Sequence, residues 1–106
     1  MVTVTGFTKI PEETDMANYV LSTGPLSVCV DAATWSTYTS GILSVCGSQV
    51  DHCVQAVGVD TGASPYWIVR NSWGTDWGVN GYIYLAYGQD TCAIASDATY
   101  TTVKLV

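Results

Sequence analysis

The stretch from Tyr66 to Gly78, YWIVRNSWGTDWG, decides how the rest of this 106-residue chain is read. Tyr66, Trp67, Ile68 and Val69 are aromatic or β-branched and fit a pleated, half-buried surface, so the stretch opens as a strand. It closes on Asn71-Ser72 and two Trp-Gly pairs, Trp73-Gly74 and Trp77-Gly78. A strand that delivers an asparagine to a glycine-punctuated turn between indoles suits a side-chain amide held in a partly shielded place. Plain packing is the competing reading, since turn asparagines and core tryptophans are common.

On either side of this stretch the chain divides into short elements. Pro11-Glu12-Glu13 opens a helix, with proline in the first turn and acids near the positive end of the helix dipole. Met16, Ala17, Val20 and Leu21 recur at helical spacing and form its buried face, and Gly24-Pro25 stops it. Leu26 to Ala32 alternates, with Leu26, Val28 and Val30 on one face and Ser27, Cys29 and Asp31 on the other. Thr34 to Gly41 reads as one helical turn carrying Trp35 and Tyr38. Val50 to Val59 is a strand with Val50, His52, Val54 and Ala56 on one side and Asp51, Cys53, Gln55 and Val57 on the other. After the Thr61–Pro65 turn and the Tyr66 strand, Tyr82–Tyr87 and Ala98–Val106 supply two more strands. One helix and five or so mostly antiparallel strands, within a single domain over residues 1–106, predict an α+β, mainly β fold. A bent antiparallel sheet or open β-barrel with a flanking N-terminal helix is the economical form.

Composition narrows the function. Hydrophobic residues make up 48% of the chain and charged residues only 11%, too apolar for disorder. So low a charge implies that part of the surface is normally covered by something else. Net charge is −6 and the only basic residues are Lys9, Arg70 and Lys104, which argues against nucleic acid or an anionic membrane as partner. No apolar run approaches the ~20 residues of a spanning helix. Met1-Val2-Thr3-Val4-Thr5 begins in strand-like sequence with no leader pattern, so the start reads as an entry into a longer protein. Cys29, Cys46, Cys53 and Cys92 allow three pairings among which sequence alone does not choose, and their spacing forms no zinc motif. No metal and no cofactor is called for. An acidic, Thr- and Ser-rich chain of low charge favours an oxidising compartment, vesicular or secreted.

His52 is the one side chain that titrates near neutrality without help. On a strand it is by default a hydrogen-bonded structural residue, unless a third group fixes its tautomer. Asn71 can accept from one imidazole N–H and leave the other nitrogen for a nucleophile, the orienting role in a nucleophile–base–orienter arrangement. A nucleophile is missing from this picture. Cys53 adjoins His52, but strand neighbours face opposite ways. No serine sits in a GxSxG elbow.

Five runs, in order, carry a family resemblance: GPLSVCVDA (Gly24–Ala32), SGIL (Ser40–Leu43), VDHCVQAVGV (Val50–Val59), YWIVRNSWGTDWGVNGYIYL (Tyr66–Leu85) and CAIASDATY (Cys92–Tyr100). The series resembles the C-terminal half of the papain-like cysteine peptidases, the group of papain and the lysosomal cathepsins, over roughly residues 4 to 103. In that family a helical lobe carries the nucleophilic cysteine and an oxyanion-hole glutamine, and a β-barrel-like lobe carries the histidine and asparagine. This chain is similar to the second lobe alone.

The resemblance implies that His52 is the catalytic base and Asn71 its orienter. It makes Trp73 the indole that covers their hydrogen bond and Trp77 a cleft aromatic on the leaving-group side. Asp51 falls where the backbone carbonyl contacts substrate, and Cys46 and Cys92 match a disulfide. Cys29 and Cys53 are additions to the family pattern at walls of the pocket for the second acyl-side residue, whether paired, reduced or simply filling space. Asp97 matches the floor of that pocket, where a carboxylate favours Arg or Lys, or else turns outward at a strand end. Ala93 stands where many members have glycine. No segment resembles the glutamine-then-cysteine motif, so the expectation is a thiol endopeptidase lobe, inactive alone. Its partners would be a peptide or protein substrate and a complementary helical lobe, or a second copy docked through the exposed interdomain face. The alternatives are a non-catalytic module that binds peptides or inhibitors, and an engineered half-enzyme fragment.

Overall fold

A computed structural model describes residues 2–105, with side chains over 8–100. Its elements are β1 (Val2–Lys9), α1 (Glu13–Ser22), β2 (Leu26–Val30), β3 (Ile42–Leu43), β4 (His52–Asp60), β5 (Tyr66–Arg70), β6 (Tyr82–Ala86) and β7 (Thr99–Leu105). Single 3-10 turns occupy Trp35–Thr37 and Thr91–Ala93. The strands form one open sheet in the order β1-β7-β2-β4-β5-β6-β3. All pairings are antiparallel except β3 with β6.

The expected architecture is present, with more strands than the five or so expected. The strand-like opening of the chain becomes β1, which pairs with β7, and the SGIL run gives the two-residue β3. Two boundaries also move. Strand β4 begins at His52 and leaves Val50 outside, 42% exposed. Strand β2 ends at Val30 because Asp31 turns its carboxylate onto backbone N–H groups: Oδ1 accepts from Ala33 and Oδ2 from Gln49, each at 3.0 Å. Asp31 is itself buried, which such bonds offset. A side chain at Gly47 would collide with its Oδ2, so this position needs glycine.

One face of the sheet carries the core. Leu26, Val28 and Val30 of β2, Ala56 of β4, Trp67 and Val69 of β5, and Ile83 and Leu85 of β6 are all fully buried. Each large apolar side chain removed from water contributes about 1.5–3 kcal/mol before entropy is counted. Helix α1 packs over β2 and β4 through Met16 and Ala17. Leu21, expected on that face, is 63% exposed. The buried stripe runs instead through Met16, Ala17 and half-buried Tyr19 and Val20, and Leu21, one residue further round, points off its edge. Glu13 ties the start of α1 to the far strands: Trp67 Nε1 donates to its Oε2 at 2.8 Å, and the N–H groups of Gly88 and Asp90 donate at 2.9 and 2.6 Å.

Candidate active site

β4 and β5 lie side by side in the sheet, so the first residue of β4 and the residue just past β5 come together at one end of the pair. There His52 Nε2 lies 2.8 Å from Asn71 Oδ1. That oxygen only accepts, so Nε2 carries the proton and Nδ1 is the nitrogen left for exchange. Ser72 donates its backbone N–H to the same oxygen at 2.8 Å, which fixes the orientation of the amide. Asn71 is buried, and its Nδ2 has no partner among the described residues. Its backbone N–H donates to Gly81 O at 3.1 Å, anchoring the asparagine to the far side of its own turn.

That turn, residues 71–82, is knitted by its backbone. Gly81 donates to Trp77 O at 2.7 Å and Val79 to Tyr82 O at 2.9 Å. Gly78 has φ +59°, and a Cβ there would sit 2.5 Å from Tyr82 O, so only glycine closes the turn. The turn presents Trp73 over the imidazole, with stacked rings 5.4 Å apart. Trp73 remains 43% exposed and also meets Trp77 edge-on, with ring centroids 5.1 Å apart. An indole stacked on the imidazole keeps water from that side of the ring and lowers the local dielectric there. Trp77 stacks on Trp35 at 6.0 Å and donates its Nε1 to Trp35 O at 2.9 Å.

Trp35 is the site residue that sequence reasoning missed. Fully buried in its 3-10 turn, it sets its ring edge-on to His52, with centroids 6.3 Å apart. Nothing local in Thr34–Gly41 distinguished a core indole from one that backs the histidine. Tyr38 closes the cluster: its hydroxyl donates to Gly41 O at 2.6 Å and accepts from the Tyr84 N–H at 3.3 Å. Burial pushes its phenol above the usual tyrosine range, with the Tyr84 backbone bond opposing in part.

The other expected site residues divide. Asp51 is exposed at the surface, but its Oδ1 accepts from Ala32 N at 2.9 Å, and its N–H donates to Val30 O at 3.0 Å. It therefore pins the lead-in to His52 against the end of β2. Cys29 and Cys53 stand directly opposite each other on β2 and β4, next to the Val30–His52 pair, and form a disulfide. Cys46 and Cys92 form the second disulfide, fixing the irregular segment before His52 to the Thr91–Ala93 turn. Cys53 and Asn71 line one recess of about 390 Å³ with Ser27, Val54, Gln55, Arg70 and Ser72. Trp73, Trp77 and Asp97 are not among its walls. Asp97 is half-exposed and pairs with Lys9 Nζ at 3.3 Å. No group of three or more metal-ligating side chains occurs among the described residues. Nor is any helix among them long and apolar enough to cross a membrane.

An imidazole whose tautomer is set by a buried amide under an indole is an arrangement for proton transfer, and comparison with known proteins identifies the class. The Peptidase_C1 family, "Papain family cysteine protease", matches residues 1–102. The chain belongs to the papain family of cysteine proteases. It is 43% identical over 102 residues to cysteine proteinase 1 of Dictyostelium discoideum, covering 88% of this chain and 30% of that relative. Human cathepsin O is 46% identical over 91 residues, covering 83% of this chain and 28% of that relative. The fold superposes on the bromelain protease of Ananas comosus, solved in complex with the E64 inhibitor, with TM-score 0.81 and 39% identity. That match covers 93% of this chain and 50% of bromelain. The chain thus spans about a third of the curated relatives and half of the solved enzyme.

Proposed function

We propose that this chain is the histidine- and asparagine-bearing lobe of a thiol endopeptidase, inactive by itself and completed by a helical lobe that brings the cysteine and the oxyanion donor. The observation that carries the reading is the 2.8 Å contact between His52 Nε2 and Asn71 Oδ1, which leaves Nδ1 as the working nitrogen. In the completed site a thiolate faces imidazolium at Nδ1, and the ion pair favours the nucleophilic form. The thiolate attacks the peptide carbonyl, His52 protonates the leaving amine, and the neutral imidazole then takes a proton from water as it attacks the acyl-enzyme. Trp73 and Trp77 line the leaving-group side. Asp51, Cys29, Cys53 and Asp97 belong to the acyl side, where Asp97 selects a cationic side chain. Two disulfides support a lysosomal or secreted setting, where such bonds persist.

The test is reconstitution. This chain is mixed with the helical lobe of a papain-family enzyme, and cleavage of a fluorogenic peptide is followed. Thiol-dependent cleavage that disappears with His52→Ala is the expected result. Association of the lobes without cleavage would replace this reading with a non-catalytic peptide-binding module.

A further inference from the structure

The two disulfides do different work. Cys46–Cys92 joins segments with no ladder between them, and Cys92 is buried. Cys29–Cys53 joins β2 and β4, which already pair over five residues from Leu26–Ala56 to Val30–His52. Opening it leaves that ladder in place. Cys53 is exposed and lines the recess that also contains Arg70 and Asn71. Exposed disulfides are the labile, regulatory ones, because the attacking thiolate reaches them.

We propose that Cys29–Cys53 is a redox-sensitive wall of the cleft, opened by a small thiol without unfolding the lobe. A thiolate of the reductant attacks the exposed Cys53 Sγ and forms a mixed disulfide, expelling the Cys29 thiolate, which takes a proton from solvent. A second thiolate attacks the reductant's sulfur in the mixed disulfide. It leaves as oxidised disulfide and releases Cys53, which is protonated in turn. Two electrons pass from two thiols of the reductant to the protein. Arg70 on the same recess supplies the positive charge that favours Cys53 as the leaving thiolate. Where one crosslink stood, two thiols then face each other on adjacent strands, Cys53 one residue from His52 and on the same recess as Asn71. The meaning for substrate rests on the peptidase reading above: the reducing conditions that a thiol nucleophile requires would also reshape this wall. The redox chemistry does not depend on that reading and is tested apart from catalysis.

The intact chain is equilibrated in glutathione buffers of graded ratio, alkylated, and mapped by peptide mass spectrometry, with circular dichroism and amide chemical shifts recorded in parallel. Cys29 and Cys53 are expected to be alkylated at a reduced-to-oxidised ratio about tenfold lower than Cys46 and Cys92, the equivalent of about 30 mV. Over that step circular dichroism stays constant, and shifts concentrate in β2, β4 and at His52, Asn71 and Ser72. The double variant Cys29→Ser/Cys53→Ser is expected to reproduce those shifts. Opening of all four cysteines together, or of Cys46–Cys92 first, overturns the proposal. So does loss of the circular dichroism signal as Cys29–Cys53 opens. Shifts that stop short of His52 and Asn71 would equally overturn its link to the site.

Discussion

At Asn71 one side-chain oxygen receives both the imidazole N–H and the following backbone N–H, each at 2.8 Å. Removing that oxygen leaves Nε2 of His52 without its acceptor and the ring free to turn. In the reconstituted enzyme Asn71→Ala is therefore expected to lower kcat about a hundredfold with KM little changed. An unaltered kcat would remove the asparagine from the proposed machinery. Asp97 leads to a second expectation at this scale. Its half-exposed pairing with Lys9 holds the carboxylate on a neighbour rather than on a substrate. Exposed pairs of this kind are worth under about 1 kcal/mol, so a cationic substrate can compete for it. Lys9→Ala should raise the preference for Arg over Leu at the second acyl-side position, measured as a ratio of kcat/KM values. An unchanged ratio would take Asp97 out of the pocket. His52, Asn71 and the two Trp-Gly pairs were legible in sequence because one continuous motif and one histidine carry them. The Cys29–Cys53 pairing was not, because opposition across strands depends on register, which residue spacing leaves free.

Among the elements, the Thr91–Ala93 turn holds the clearest strain. Asp90, Cys92 and Ala93 all adopt positive φ, with Ala93 at +60°, where an L side chain crowds its own backbone. Glycine would adopt this conformation without that cost. Ala93→Gly is expected to stabilise the lobe by about 1 kcal/mol, read as a rise of a few degrees in Tm. A fall in Tm would show that the methyl group, 5% exposed beside the core, contributes more than its backbone costs. Alternation correctly gave the buried face of β2, where every second residue is fully covered. Along β4 it holds from His52 only as far as Ala56, because a bulge inserts Val57 between the Ala56–Val69 and Gly58–Ile68 pairs. It also gave no hint of β3, a two-residue strand created by its parallel neighbour.

Taken whole, the molecule is an open sheet with its core sealed on one side by α1 and with apolar residues left uncovered near the histidine. Val45 and Val50, on the segment leading to His52, are 83% and 42% exposed, and Trp73 is 43% exposed. If a second lobe normally covers this region, the isolated chain should self-associate, and its apparent mass in light scattering should rise with concentration. A monomer at every concentration would count against a cleft face of that kind. The ladder joining β4 to β5 has a consequence for motion. Because imidazole and amide hang from adjacent strands of one sheet, a hinge between this lobe and anything docked beside it would change the thiol-to-imidazole gap alone. If the proposed second lobe brings the thiol, breathing between the lobes would modulate how often it meets the imidazole, while the bond to Asn71 would keep the proton on Nε2.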